Sequence, residues 1–149
     1  MTDIKKKLYW FLFFILTVNM NADFIKSGDI VTDSTTGLQW QDNNETKSLK
    51  FTWIEAINYC EGLNLGEYSD WNLPNINEFK TLIDRSKKKP AIVNGFENIV
   101  SSSYWSSSTT HRDTSSAWII RFYYGYVNGS SKTDDNYIRC VRTKDFASL

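Results

Sequence analysis

Cys60 and Cys140 are the only two cysteines in a chain of 149 residues. An even cysteine count in an exported chain points to one disulfide. The crosslink would close a loop of about 80 residues, worth roughly 4 kcal/mol in the chain-entropy model. It would also oblige the fold to bring the segment around position 60 against the C-terminal segment. Two buried free thiols are the alternative.

The case for export rests on the first 22 residues, MTDIKKKLYWFLFFILTVNMNA. Lys5, Lys6 and Lys7 precede an apolar run from Leu8 to Val18, and a short polar stretch ends at Ala22. That is the order of a secretory signal peptide. The apolar run is 11 residues long, short of the roughly 20 that a membrane-spanning helix needs. Met20 sits where a cleavage site prefers a small residue, so an uncleaved anchor is the competing reading. We expect a signal peptide over residues 1–22, one domain over residues 23–149, and no stable membrane span after cleavage.

Of 17 basic and 17 acidic residues, three Lys and one Asp fall in that leader, which leaves 14 and 16 and a net charge of −2. No broad cationic field is present to hold nucleic acid. The remainder is long enough for one sizeable core. Its many aromatic residues favour a rigid domain containing β-structure.

Along the chain, Ile30–Thr32 and Leu38–Gln41 are short β-type runs joined by DSTTG, a hairpin in which Gly37 can take positive φ. FTWIEAINYCEGLNLG carries a helix. Thr52 and Glu55 form a capping-box signature, and Trp53, Ala56, Ile57 and Cys60 share one face. Gly62 or Gly66 can end it. WNLPNINEFKTLIDRSKKK predicts a second helix, capped by Asn75 with Glu78, striped by Ile76, Phe79, Leu82 and Ile83, and stopped by Pro90. Lys87, Lys88 and Lys89 then sit at its C-terminal end, where cations suit the dipole. An anionic-glycan contact is the other use for that run.

The stretch SSSYWSSSTT, residues 101–110, reads superficially as a linker, but linkers seldom carry an adjacent Tyr and Trp. We expect an ordered strand-and-loop element anchored by Tyr104 and Trp105, with hydroxyls satisfying nearby backbone. AWIIRF from Ala117 is a β run, Asn128-Gly129 marks a tight turn, and NYIRCVR from Asn136 is the last strand. In that strand Ile138 and Cys140 share one face, and Tyr137, Arg139 and Val141 the other. Hairpin, two helices, then strands suggest an α+β architecture.

DSTTGLQWQD, TWIEAINYC, WNLPNINEF, YWSSS, AWIIRF and YIRCVR occur in that order between Asp29 and Arg142. In this set the chain resembles the Lcl C-terminal domain family of bacteria. The resemblance implies a C-type-lectin-like fold related to the formylglycine-generating enzymes, with two helices flanking a twisted, mainly antiparallel sheet. In such folds a helix cysteine commonly pairs with one in the final strand, and Cys60 and Cys140 occupy matching places. The family's namesake is a surface adhesin whose C-terminal domain is associated with glycan binding. Asn72 departs from the family's Trp-Arg-Leu-Pro segment, which leaves in doubt any ion pair made from that position.

The resemblance also frames the chemistry. Formylglycine-generating relatives use a reactive cysteine pair, whereas both cysteines here are accounted for by the expected disulfide. His111 with Asp113 among serines invites a hydrolase reading, but no nucleophile-elbow pattern is present. A zinc site lacks a second His, and Asp134, Asp135 and Asn136 read better as a turn than as a calcium site. The sugar-coordinating triplets of calcium-dependent lectins are absent, and Asn75 of LPN is better used as a cap. We therefore expect no enzyme, metal or cofactor. The expectation is an exported module of the periplasm, cell surface or medium that binds a glycan or another surface macromolecule. Tyr123, Tyr124 and Tyr126, flanked by Arg121 and Asn128 and bordered by a polar loop with His111 and Arg112, are the candidate ligand residues. A structural or assembly subunit partnered by an envelope protein is the alternative.

Overall fold

The computed structural model describes residues 23–144. The leader over residues 1–22 lies outside the described residues. Two sheets and three short helices make an α+β fold. The first sheet has strand order β1 (Phe24–Ser27), β2 (Ile30–Asp33), β3 (Leu38–Gln41), β9 (Val141–Thr143), every pair antiparallel. The second runs β4 (Lys50–Phe51), β8 (Asn136–Tyr137), β5 (Ser103–Thr109), β6 (Ser116–Arg121), β7 (Tyr126–Ser131). Its pairs are antiparallel except β5 with β8, which meet in parallel at Tyr104 and Tyr137. The single flanked sheet expected from the sequence is thus two sheets.

Helices α1 (Glu45–Ser48), α2 (Trp53–Glu61) and α3 (Ile76–Lys80) are the helical part. In α2 the Thr52 amide donates to the Glu55 carboxylate at 3.0 Å, and Ala56 and Cys60 are fully buried. In α3 the Asn75 carboxamide accepts from the amides of Asn77 and Glu78, each at 2.9 Å, and Glu78 accepts from the Asn75 amide at 2.8 Å. The helix stops at Lys80, well before Pro90. Leu82 is buried, and Ile83 leaves the helix to bridge Ile92. That pairing makes residues 83–92 a hairpin-like loop, so Lys87–Lys89 decorate a loop, not a helix end.

The second sheet is covered on both faces. Trp105, Ala117, Ile119 and Ile138 join Ala56 and Cys60 in one core. Tyr104, Ile120 and Phe122 join Val31, Trp40, Phe79, Leu82 and Val141 in the other. Burial of both faces is why AWIIRF is apolar without alternation from Ala117 to Ile120, before the exposed Arg121. The Trp105 indole donates to the Phe51 carbonyl at 2.7 Å. Its serine neighbours work locally. The Ser106 hydroxyl donates to the Trp118 carbonyl at 2.7 Å, and the Ser108 hydroxyl accepts from the Ile76 amide at 3.0 Å.

The last strand of the sequence is split in two. Tyr137 pairs with β5 and Val141 with Trp40 of β3, so the chain passes from one sheet to the other through Ile138–Cys140. The expected alternation survives the crossing: Ile138 and Cys140 face one core, and Tyr137 and Val141 the other. Cys140 is disulfide-bonded to Cys60. Arg139, fully buried, pairs with buried Asp42 at 3.0 Å and donates to the Asn98 carbonyl at 2.6 Å. Asp42 also accepts from the Glu97 and Asn98 amides, each at 3.0 Å, and from Lys26. At Asn72 the backbone takes over from any side-chain ion pair, exchanging two 2.8 Å hydrogen bonds with Val141.

Two predictions follow from these contacts. Trp105→Ala should cost about 3–5 kcal/mol in urea unfolding, as for a buried aromatic whose site cannot collapse; a loss within experimental error would contradict the packing. Burial raises the Asp42 carboxyl, but the Lys26 hydrogen bond, the Arg139 charge and the Glu97 amide outweigh it and hold it below its ordinary 3.8. Its contribution to stability is therefore complete above that value and lost as pH falls through the lower folded value. Asp42→Asn should destabilise the protein by about 3–5 kcal/mol at neutral pH, because it leaves Arg139 buried without a counter-charge. It should also flatten the acid limb of the stability curve.

Candidate functional site

The seven residues nominated from the sequence do not form one site. Arg121 and Ser116 stand at opposite ends of β6, about 17 Å apart at some 3.3 Å per residue. Tyr123, Tyr124, Tyr126 and Arg121 lie at one end. His111 and Arg112 lie in the β5–β6 loop at the other. Asn128 is partly buried in β7 opposite Ile119. The expected Asn128-Gly129 turn is instead strand. The chain reverses earlier, at Gly125, whose φ of +74° suits a residue without a side chain. An added Cβ there would also lie 2.6 Å from Ile83.

At the loop end a cleft of about 540 Å³ opens between residues 110–113 and the β6–β7 face. Trp118, partly exposed, provides its apolar wall, and its cross-strand partner on β7 is Gly129. With no side chain at 129, nothing on β7 covers the indole beside it. Ser116 and Ser131, which share the sheet face of Trp118, supply hydroxyls beside it. Ser130 lines the cleft with its hydroxyl engaged by Asp134 and Asn136 on the other face, and His111 and Arg112 form the exposed rim. Trp118 was not singled out from the sequence. The parity of AWIIRF places it on the face of Ile120, and only the end of the core at that strand position exposes it.

Local hydrogen bonds hold the cleft's loop. The Asp113 carboxylate accepts from the Ser115 amide at 2.9 Å, the Ser115 hydroxyl at 2.6 Å and the Ser116 hydroxyl at 2.8 Å. Those bonds, from Ser115 and then Ser116, hold the carboxyl below its usual range, so Asp113 is an anion at neutral pH. The Ser116 amide donates to the Asp113 carbonyl at 3.1 Å, and the Thr110 amide to the Ser116 carbonyl at 3.0 Å. Lys132 closes the adjoining end of the sheet. Its ammonium donates to the Thr109 hydroxyl at 2.9 Å and sits 4.0 Å from the centroid of Trp53. His111 makes no hydrogen bond to Asp113 or to a serine among the described residues.

At the turn end the three tyrosines are all exposed, at 38%, 47% and 59% for Tyr123, Tyr124 and Tyr126. Tyr123 meets Tyr124 edge-on with centroids 4.4 Å apart, and Tyr124 lies 6.0 Å from Tyr126. The Lys89 ammonium lies 4.8 Å from the Tyr123 centroid. A larger depression of about 660 Å³ lies where the chain enters the fold, between Phe24 and Asp84. Its polar groups are engaged. Asp84 accepts from Ser86, and Asn94 accepts from Lys87.

Among the described residues no group of three or more His, Cys, Asp or Glu is placed to hold a metal. The Asp134 carboxylate accepts from the Ser130 hydroxyl at 2.7 Å and the Ser131 amide at 3.1 Å, as a turn residue does. No helix among the described residues is long and apolar enough to cross a membrane.

A domain with this pair of mainly antiparallel sheets, tied by a helix-to-C-terminal disulfide, matches the Lcl C-terminal domain model over residues 29–142. The chain belongs to that family. No curated protein matches it.

Asp113→Ala should remove the loop's organising acceptor. The global unfolding free energy should change by less than about 1 kcal/mol, as for an exposed site, while amide exchange over residues 111–116 accelerates several-fold. Unchanged exchange there would show that the carboxylate does not hold the loop.

Proposed function

We propose that the protein is an exported binding module, not an enzyme, and that it takes a glycan into the Trp118 cleft without a metal. The observation that carries this reading is the cleft's composition. A partly exposed indole lies beside Gly129, with hydroxyls from Ser116 and Ser131 on its own sheet face and the Arg112 guanidinium within one 540 Å³ opening. Sugar rings present C–H faces to an aromatic plate and hydroxyls to surrounding donors and acceptors. A concave site with an apolar wall and a few convergent polar groups suits them. His111 and Arg112, nominated from the sequence, keep a place at the rim of this site.

The remaining parts agree. The helix-to-C-terminal disulfide, and an N-terminal hairpin paired with the last strand, suit the C-type-lectin-like plan implied by the family resemblance. The leader and the disulfide together suit the periplasm or the cell surface. Asp113 is committed to its own loop, and Asp134 to its turn, so calcium has no free carboxylate cluster to bridge to a sugar among the described residues.

Glycan-array binding in the presence of a chelator tests the proposal. Capture of a defined glycan should survive chelation, and Trp118→Ala should weaken it at least tenfold, about 1.4 kcal/mol, with little change in melting temperature. Binding abolished by chelator would overturn the metal-free part, and undiminished binding by Trp118→Ala would move the site elsewhere. Co-purification with an envelope complex, with no glycan captured, would favour the assembly-subunit reading.

A further inference from the structure

The tyrosine turn is left outside that cleft. Gly125 packs against Ile83 and Ala91 of the 83–92 loop, so the turn and the loop form one surface. The Lys89 amide donates to the Tyr123 carbonyl at 3.0 Å, and the Ala91 amide to the Phe122 carbonyl at 2.7 Å. These bonds bring the loop's cations beside the tyrosines. Arg85, Lys88 and Lys89 are exposed, as is Arg121 at the start of the turn. None of the four forms an ion pair among the described residues. The loop's carboxylate, Asp84, is already engaged by Ser86 and by Lys87 at 3.4 Å.

We propose that this surface docks on an anionic lipid bilayer. Tyrosine is suited to the headgroup region, where its ring meets acyl chains and its hydroxyl meets water. Cations close to an anionic leaflet each contribute about fivefold in affinity. Three exposed tyrosines next to a loop and strand end with four exposed cations, none in an ion pair among the described residues, combine both terms on a chain whose net charge is zero. The place where the chain enters the fold supports the same occupant. Asp23 lines one depression with Thr81, Asp84 and Asn94, beside the cationic loop. In sequence, Asp23 follows the apolar run Leu8–Val18 after four intervening residues. A leader kept as an anchor, the competing reading of residues 1–22, would join the fold at Asp23 beside this loop.

Vesicle co-sedimentation of the full chain, phosphatidylglycerol-containing against pure phosphatidylcholine, tests the proposal. Binding through the apolar run is common to both vesicle types, but Lys5, Lys6 and Lys7 beside it also favour the anionic ones, so the part of the preference lost on substitution reports on the surface. Wild type should prefer the anionic vesicles at least tenfold, with the preference falling as salt rises. Arg85→Gln/Lys88→Gln should reduce it roughly twentyfold, or to nothing, with an unchanged melting temperature. Tyr124→Ala/Tyr126→Ala should weaken anionic-vesicle binding several-fold while keeping the salt dependence. Equal binding to the two vesicle types overturns the proposal, as does a preference unaffected by Arg85→Gln/Lys88→Gln. Capture of a soluble sulfated polysaccharide with no vesicle preference overturns it too, by assigning the surface to another polyanion. Trp118→Ala should leave vesicle binding intact, so this reading and the cleft reading stand or fall separately.

Discussion

The buried pair of Asp42 and Arg139 is the contact on which the two-sheet architecture depends. Both side chains are wholly removed from solvent, and each charge would be costly without the other. Most of their other hydrogen bonds go to backbone, with Lys26 also donating to Asp42 and the Arg139 Nε buried without a partner among the described residues. Asp42 receives the amides of residues 97 and 98, and Arg139 donates to the carbonyls of Gln41 and Asn98. Three separate segments are thereby fixed at one point: the end of β3, the loop before β5, and the crossing from β8 to β9. The crossing is held again one residue later, where the Cys140 amide donates to the Gln41 carboxamide at 3.2 Å and the Gln41 amide to the Cys140 carbonyl at 2.9 Å. The disulfide then ties the same residue to α2. An ion pair, a side chain standing in for ladder hydrogen bonds, and a covalent link thus converge within two residues.

That junction sets where function can be placed. With its core-facing residues buried on both faces, β6 works as a stiff bar between the crossing and the surface. Its two ends emerge into different settings. At one end the core stops short of Trp118, and the 110–113 loop folds beside the indole. At the other the strand runs out at Arg121 into the tyrosine turn. Ser106 links the interior to the first of these, because its hydroxyl holds the carbonyl of Trp118 while its neighbour Trp105 fills the core. The serine-rich stretch is therefore neither spacer nor recognition loop. Its hydroxyls complete the backbone hydrogen bonding around a strand whose large side chains are committed elsewhere.

Local chemistry was legible in the sequence, and long-range pairing was not. Both capping boxes, the β2–β3 hairpin and the inward-facing Cys60 depend on neighbours within a few residues, and each is found where it was expected. The second helix was read too long because Ile83 has helical spacing from Phe79, but Ile92, distant in sequence, claims it for a bridge. Asn128-Gly129 has the strongest turn chemistry in its region, yet Arg121 pairs with Tyr126, and that register places the reversal at Gly125. The final strand kept its alternation and changed its partner at residue 138. Arg139 and Asp42 were invisible as a pair because charges 97 residues apart carry no shared local signal. The candidate site was legible as a list of surface residues and illegible as geometry. His111 and Arg112 precede β6, and Tyr123–Tyr126 follow it. A strand of six residues separates in space what lies close in sequence.

This separation argues for two independent recognition surfaces in place of one composite site. Energetic coupling between two sites needs an element with two discrete arrangements that both sites bias. Of the two strands that run between them, β6 and its neighbour β7, β6 is the one with residues in both cores. It is paired to β7 along its length and to β5 with one register shift between Trp105 and Thr109, and it carries Ala117, Ile119 and Ile120 in the two cores, all at 2% exposure or less. A shift of the strand by one residue would exchange those side chains between the cores, and close packing leaves no room for that. The parts outside the core are local instead: the loop held by Asp113, and the 83–92 loop that carries the cations. Each can adapt to its own ligand without moving the strand between them. On the two readings proposed above, a sugar held at one end and a charged surface met at the other would leave each other's affinity unchanged.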